Sequence, residues 1–128
     1  MTLEDLQNKV VVIQHWDFYG FTSAKSLGEL QEKYSRDDLV IIVDFYRDDL
    51  PIERQISIWK QAGGTDNISL FNDVEASYTG ALTCFTIVFD SEGKQIWNGS
   101  TDWSEKPLNP DLIEAVSDAI EDKHEKNL

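Results

Sequence analysis

The sequence predicts a layered α/β domain: a central mixed sheet, made of two parallel strands plus a C-terminal hairpin, flanked by helices. Three observations predict it. Val10–Trp16 and Leu39–Phe45 are almost continuously apolar and rich in β-branched residues, the pattern of strands buried on both faces. Helical spacing of apolar residues fills the stretches after each of them. Two further stretches, Phe85–Phe89 and Lys94–Asn98, flank Asp90-Ser91-Glu92-Gly93, a hairpin loop whose Gly93 can take a positive φ.

Residues 2–8 are expected to form a short helix before the first strand, Val10–Trp16. Ser23–Tyr34 follows as a helix whose apolar face is Leu27, Leu30 and Tyr34. It leads into the second strand, and two buried strands joined by a helix are expected to run parallel through a right-handed crossover. A second helix should span about Leu50–Ala62, capped by Asp49, with Pro51 in its first turn and Gly63 or Gly64 stopping it. Its stripe is Ile52, Ile56 and Trp59. The next stretch is less regular, with a short strand at Ile68–Phe71 and a helical turn at Val74–Thr79. After the hairpin, residues 99–109 read as polar loop. Asn109 then caps a last helix that starts at Pro110 and buries Leu112, Ile113, Val116, Ala119 and Ile120. Residues 121–128 read as a frayed, solvated tail, in which His124 has no assigned role.

The 128 residues make one domain, with a core over about residues 9–120. Apolar residues are 41% and charged residues 27%, the mix of an ordinary globule. No apolar run approaches the length of a membrane span, and no signal-peptide pattern opens the sequence. The single cysteine, Cys84, excludes an internal disulfide, a multi-cysteine zinc site and a CxxC redox pair. The charge is the most unusual feature: 24 acidic against 11 basic residues give a net −13. Such a polyanion gains no counterion release on phosphate backbones, which excludes nucleic acid as the expected partner.

With this order of elements, Lys9-Val-Val-Val-Ile-Gln-His-Trp16 resembles the first core strand of the thioredoxin-like superfamily, in its redoxin and TlpA-like branch. A flavodoxin-like sheet would need more strand–helix units than remain after residue 64. Lys25-Ser26-Leu27 with Glu29-Leu30 resembles the helix that follows the redox motif in that family, and Ile87-Val88-Phe89-Asp90 with Gly93-Lys94 resembles the closing hairpin. The resemblance places Tyr19 just before the CxxC motif. It puts Gly20 at the attacking cysteine, Phe21 and Thr22 between, and Ser23 at the resolving cysteine. Cys84, in Leu82-Thr83-Cys84-Phe85, falls where the family carries its cis-proline. Exchange of dithiol and disulfide needs an attacking thiolate and a second, resolving thiol. Gly20 and Ser23 supply neither, so the resemblance implies a degenerate scaffold without that chemistry.

The candidate binding set is therefore Tyr19, Gly20, Phe21, Thr22, Ser23, Thr83, Cys84 and Trp103, with no catalytic residue, metal or cofactor expected. The strand-to-helix loop at residues 19–23 could hold an anion on its amides and hydroxyls, or its Ser and Thr could simply cap the helix. Cys84 reads either as a reactive single thiol or as a small buried apolar residue. Trp16, Phe18, Tyr19 and Phe21 cluster around the loop, beside a surface that docks extended peptides in the family the sequence resembles. His15, Asp17 and Asp44 could form a minimal divalent-metal set, but a hydrogen-bonded histidine in the core or at the sheet rim is the default reading. A nucleophile elbow and a phosphate-binding glycine loop are both lacking. The expected function is a redox-inactive protein-binding module in the cytoplasm. Its partner would be basic, and the protein would act as an inhibitor, an immunity protein or an assembly chaperone. The alternative is a single-thiol, glutathione-linked enzyme or sensor that uses Cys84.

Overall fold

The computed structural model describes residues 3–16, 21–45, 51–61, 63–71, 85–100 and 109–126. Their order is α1 (Leu3–Leu6), β1 (Val10–Trp16), α2 (Phe21–Glu32), β2 (Leu39–Phe45), α3 (Ile52–Gln61), β3 (Ser69–Phe71), β4 (Phe85–Phe89), β5 (Gln95–Ser100) and α4 (Pro110–Lys126). The five strands form one mixed sheet in the order β3-β2-β1-β4-β5. β1 and β2 pair in parallel from Val10↔Leu39 to Trp16↔Phe45, as their shared apolar character predicts. β3 extends the parallel part, and β4 and β5 complete the sheet antiparallel to β1 and to each other.

Strand alternation divides the core. Val10, Val12, Leu39, Ile41, Val43 and Val88 face a layer built from Ala24, Leu27 and Leu30 of α2, Trp59 of α3, and Leu112, Val116, Ala119 and Ile120 of α4. Val11, Val40 and Ile42 form the opposite face, where Leu6 of α1, Ile13 and Phe89 pack against them.

The turns follow local chemistry. Gly63, at φ 91°, and Gly64 end α3 in a Schellman motif: the Gly64 amide donates to the Trp59 carbonyl at 2.9 Å and the Gly63 amide to Lys60 at 3.1 Å. In the hairpin, the Asp90 carboxylate accepts from the amides of Glu92 and Lys94, both at 2.9 Å, and Gly93 has φ 84°. Asn109 Oδ1 caps α4 by accepting from the Asp111 amide at 2.9 Å.

Four expectations are corrected. α2 starts at Phe21, so Thr22 and Ser23 lie within its first turn and do not cap it. α3 starts at Ile52, and Pro51 stands just outside with its carbonyl accepting from the Arg54 amide at 3.0 Å. β5 runs on to Ser100. α4 continues to Lys126, because its last turns are tied down over long range: Lys123 Nζ and His124 Nε2 meet Asp38 Oδ1 at 2.9 and 3.0 Å, and Lys126 Nζ meets Glu92 at 2.8 Å.

Candidate functional site

The register brings the predicted site's framework to one end of the sheet. His15 of β1 sits beside Asp44 of β2 and Phe85 of β4; Phe71 of β3 adjoins Asp44, and Ser100 of β5 adjoins Phe85. β1, β2, β3 and β5 end here and β4 begins here. α2 opens at the same end, five residues after Trp16, so its N-terminal turn, Phe21-Thr22-Ser23, follows the C-terminal end of a central strand. Of the candidate set, Phe21, Thr22 and Ser23 are placed by their backbone. Tyr19, Gly20, Thr83, Cys84 and Trp103 lie outside the described residues, as do Asp17 and Phe18.

The parallel register makes His15 and Asp44 neighbours, the juxtaposition the metal reading required of them. Asp17, the third residue of that set, lies outside the described residues; among the described ones no group of three His, Cys, Asp or Glu could hold a metal ion.

Beneath this end lies a polar pair that the sequence reading missed. Gln14, fully buried on the helix-covered face, donates from Nε2 to Oγ1 of buried Thr86 at 3.2 Å. The bond joins the central parallel strand to its antiparallel neighbour one position below the His15–Phe85 row. A glutamine at an inward-facing position of an apolar strand was the available signal, because a buried amide needs a partner. Gln31 is a second such case. Its Nε2 donates to the Leu39 carbonyl at 2.9 Å, and its Oε1 accepts from the Ile41 amide at 3.0 Å.

A concavity of about 580 Å³ lies at the opposite end, floored by Leu6, Val11, Ile13 and Phe89 and closed by the Asp90–Gly93 turn. The turn's own amides already engage the Asp90 carboxylate, and Lys126 engages Glu92.

The charged cluster at that end is structural. Hydrogen bonds from Lys123, and then from His124, hold the Asp38 carboxyl below its ordinary range. Glu92 raises the Lys126 ammonium above its usual value.

No family model matches the chain, and no curated protein matches it in sequence. Solved structures do match. A thioredoxin-like superfamily protein superposes with a TM-score of 0.72 at 13% identity, over 94% of this chain and 85% of its own. A candidate protein disulfide isomerase from Bacteroides thetaiotaomicron gives 0.73 at 18% identity, over 99% and 83%. The chain has the thioredoxin-like fold. A secreted Mycobacterium tuberculosis disulfide oxidoreductase, homologous to the DsbE of E. coli, shares this thioredoxin-like architecture with a TM-score of 0.66 at 13% identity, over 95% and 87%. The second and third of these structures are named for thiol–disulfide chemistry, whereas this thioredoxin-like chain carries one cysteine and therefore no CxxC motif. No helix among the described residues is long and apolar enough to cross a membrane.

Proposed function

We propose that this protein is a redox-inactive thioredoxin-like binding module whose partner is a basic protein. The observation that carries the reading is the cysteine count. One thiol, Cys84, cannot both attack a disulfide and resolve the mixed disulfide that results. The net charge of −13 supplies the second half of the reading, since a field of that sign accelerates encounter with a cationic surface. The docking edge would be the loop end of the sheet, around Tyr19–Ser23, Thr83, Cys84 and Trp103. An inhibitor, an immunity protein and an assembly chaperone all work by such recognition. A cytoplasmic location fits a lone thiol.

Two measurements test this. Reduction of insulin by dithiothreitol should proceed at the blank rate in the presence of the protein; catalysis above the blank overturns the reading. Affinity for a partner isolated at low salt should fall as ionic strength shortens the Debye length to roughly 10 Å and below. Affinity indifferent to salt removes the basic partner.

The disulfide oxidoreductases among the structural relatives favour one other reading, in which Cys84 acts alone and glutathione supplies the resolving thiol. A Cys84→Ser variant that loses a glutathione-dependent activity of the wild type would establish it in place of the first.

A further inference from the structure

The two borders of the sheet are finished differently, and the unfinished one has the features of a second docking surface. β5 is the border strand on the β4 side, and among the described residues it pairs only with β4. Its six residues, Gln95-Ile96-Trp97-Asn98-Gly99-Ser100, contain no charge and no proline, in a chain that is 27% charged. Natural sheets protect such borders with lysines, prolines, inward charges or bulges, because a free row of N–H and C=O groups is a template for another strand. β5 has one of these devices. The register passes from Val88↔Trp97 to Phe89↔Gln95, which leaves Ile96 as a bulge at the hairpin end. The bulge blunts that end and leaves Trp97–Ser100 in regular register. Ile96 is also the exposed large apolar side chain among the described residues, at 38%.

The helix beside this border fixes the chemistry of an occupant. α4 packs across β1, β4 and β5. One flank of it turns toward the parallel strands, where His124 reaches Asp38 ahead of β2. The other turns toward the hairpin, where Lys126 reaches Glu92. Asp118 and Asp122 stand eight and four residues before Lys126, so helical geometry sets them on that same hairpin-side flank, and both are exposed. Asp122 and Asp90 also act electrostatically on Lys126. Exposed Asp111 continues the row toward the helix start. A neutral strand border thus runs beside a row of aspartates.

We propose that the β5 border accepts an extended, lysine- or arginine-bearing peptide segment as a sixth strand. Main-chain hydrogen bonds would hold the segment to Trp97–Ser100, with its cations toward the Asp111–Asp118–Asp122 flank of α4. Strand addition supplies affinity through the main chain and selectivity through alternate side chains. A second copy of this chain is the wrong occupant. Pairing β5 with itself would bring two like-charged aspartate flanks together, on molecules that each carry −13. The proposal shares the basic partner with the functional reading above but not the surface: it uses the side border of the sheet at Trp97–Ser100, two strands over from β1, which leads into the Phe21–Ser23 turn.

The test titrates the full chain with a short capped peptide of alternating lysine and valine, followed by backbone NMR and fluorescence anisotropy. Two control peptides are needed: one with glutamate in place of lysine, and one with central valines replaced by proline. Binding is expected for the lysine–valine peptide alone, weakening as salt rises, with amide shifts and exchange protection concentrated in Gln95–Ser100. Asp118→Asn and Asp122→Asn, both at exposed positions, should each weaken it about two- to five-fold. Asn98→Lys, which places a like charge on the border, should weaken it further. Absence of binding at low salt overturns the proposal. So does binding of the proline peptide with equal affinity, which would mean charge alone is read, and so do shifts centred away from β5. None of these outcomes touches the insulin assay or the salt dependence of the isolated partner, so the two readings fail separately.

Discussion

The two borders of the sheet solve the same problem with unequal means. On one side β3 is three residues long and covers only Ile42–Asp44 of β2. The remaining border of β2 is completed by side chains. The Gln31 carboxamide donates to the Leu39 carbonyl and accepts from the Ile41 amide, the pattern that a parallel strand residue opposite Val40 would offer. Arg36 holds the approach to β3, reaching the Asn67 carbonyl and Ser69 Oγ, each at 2.8 Å. On the other side β5 is longer, uncharged and, among the described residues, finished only by the bulge at Ile96. The contrast teaches where this sequence invests in closure: side chains complete the backbone row at the β3 border, whereas Trp97 of β5 packs against the core but the backbone row of β5 has no such completion among the described residues.

Breaking the closed border should have the largest effect. Replacing Gln31 with Met keeps the volume but leaves a buried carbonyl and a buried amide without partners. At roughly 1–3 kcal/mol for each unsatisfied group, the loss should be about 2–6 kcal/mol. Urea denaturation reads it as a lower midpoint at an unchanged slope. A loss within experimental error would mean that the carboxamide only decorates the border. The next largest effect belongs to the loop that leads into β3. Gly28 of α2 lies so close to Thr65 that a Cβ would collide with its hydroxyl. Thr65 is fixed in turn, by a hydrogen bond from its hydroxyl to Asn67 Oδ1 and by Trp59 Nε1 donating to its carbonyl at 3.2 Å. Asn67 Nδ2 completes the contact at the Gly28 carbonyl, at 3.2 Å. Gly28→Ala should therefore cost about 1–3 kcal/mol through overpacking, although alanine is the better helix former. A more stable variant would show that the loop yields.

Much of this was legible in the residues. β1, β2 and β4 keep the predicted bounds because a buried strand advertises itself as a nearly continuous apolar run, and the Gly63-Gly64 stop and the Asn109-Pro110 start are local signals. What was not legible depends on distant partners. Residues 121–126 carry no apolar stripe to mark them as helix; Asp38 and Glu92, far away in sequence, hold the last turns in place. The start of α2 was displaced because a hydroxyl pair, Thr22-Ser23, looks like a cap wherever it stands near a helix end. Gln31 could not be assigned from its neighbours, since its role follows from how short β3 turns out to be. At the candidate site the framework was readable, because strand ends and a helix start converge there. The Gln14–Thr86 bond beneath it was not, because the two residues are 72 positions apart.

A smaller effect separates the ties of α4 from the border itself. The Asp38 carboxyl is depressed by hydrogen bonds from Lys123 and His124, so it contributes stability above the ordinary carboxylate range and loses it as pH falls through the folded value. Asp38→Asn should cost about 1 kcal/mol or less near neutrality, as partly exposed pairs do. The gap to wild type should close on acidification below about pH 4, where the unfolded carboxyl takes up its proton first and the folded one follows. Chemical denaturation across that range measures it, and a gap that widens toward acid contradicts the assignment.

The smallest effect is the most discriminating for the comparison. Asn98 is exposed at the open border, so a lysine there displaces no core contact and leaves no buried group unsatisfied. Asn98→Lys should change stability by no more than about 0.5 kcal/mol in either direction. That is far below the effect of Gln31→Met toward the opposite border, although both residues stand along borders of the same sheet. The same lysine introduces onto β5 the kind of charge that sheets use to refuse another strand. If the fold is indifferent to that charge while the lysine–valine peptide no longer binds, the β5 border is kept neutral for an occupant and not for the sheet. A large loss of stability would instead make β5 as much a part of the core as Gln31 makes the border of β2.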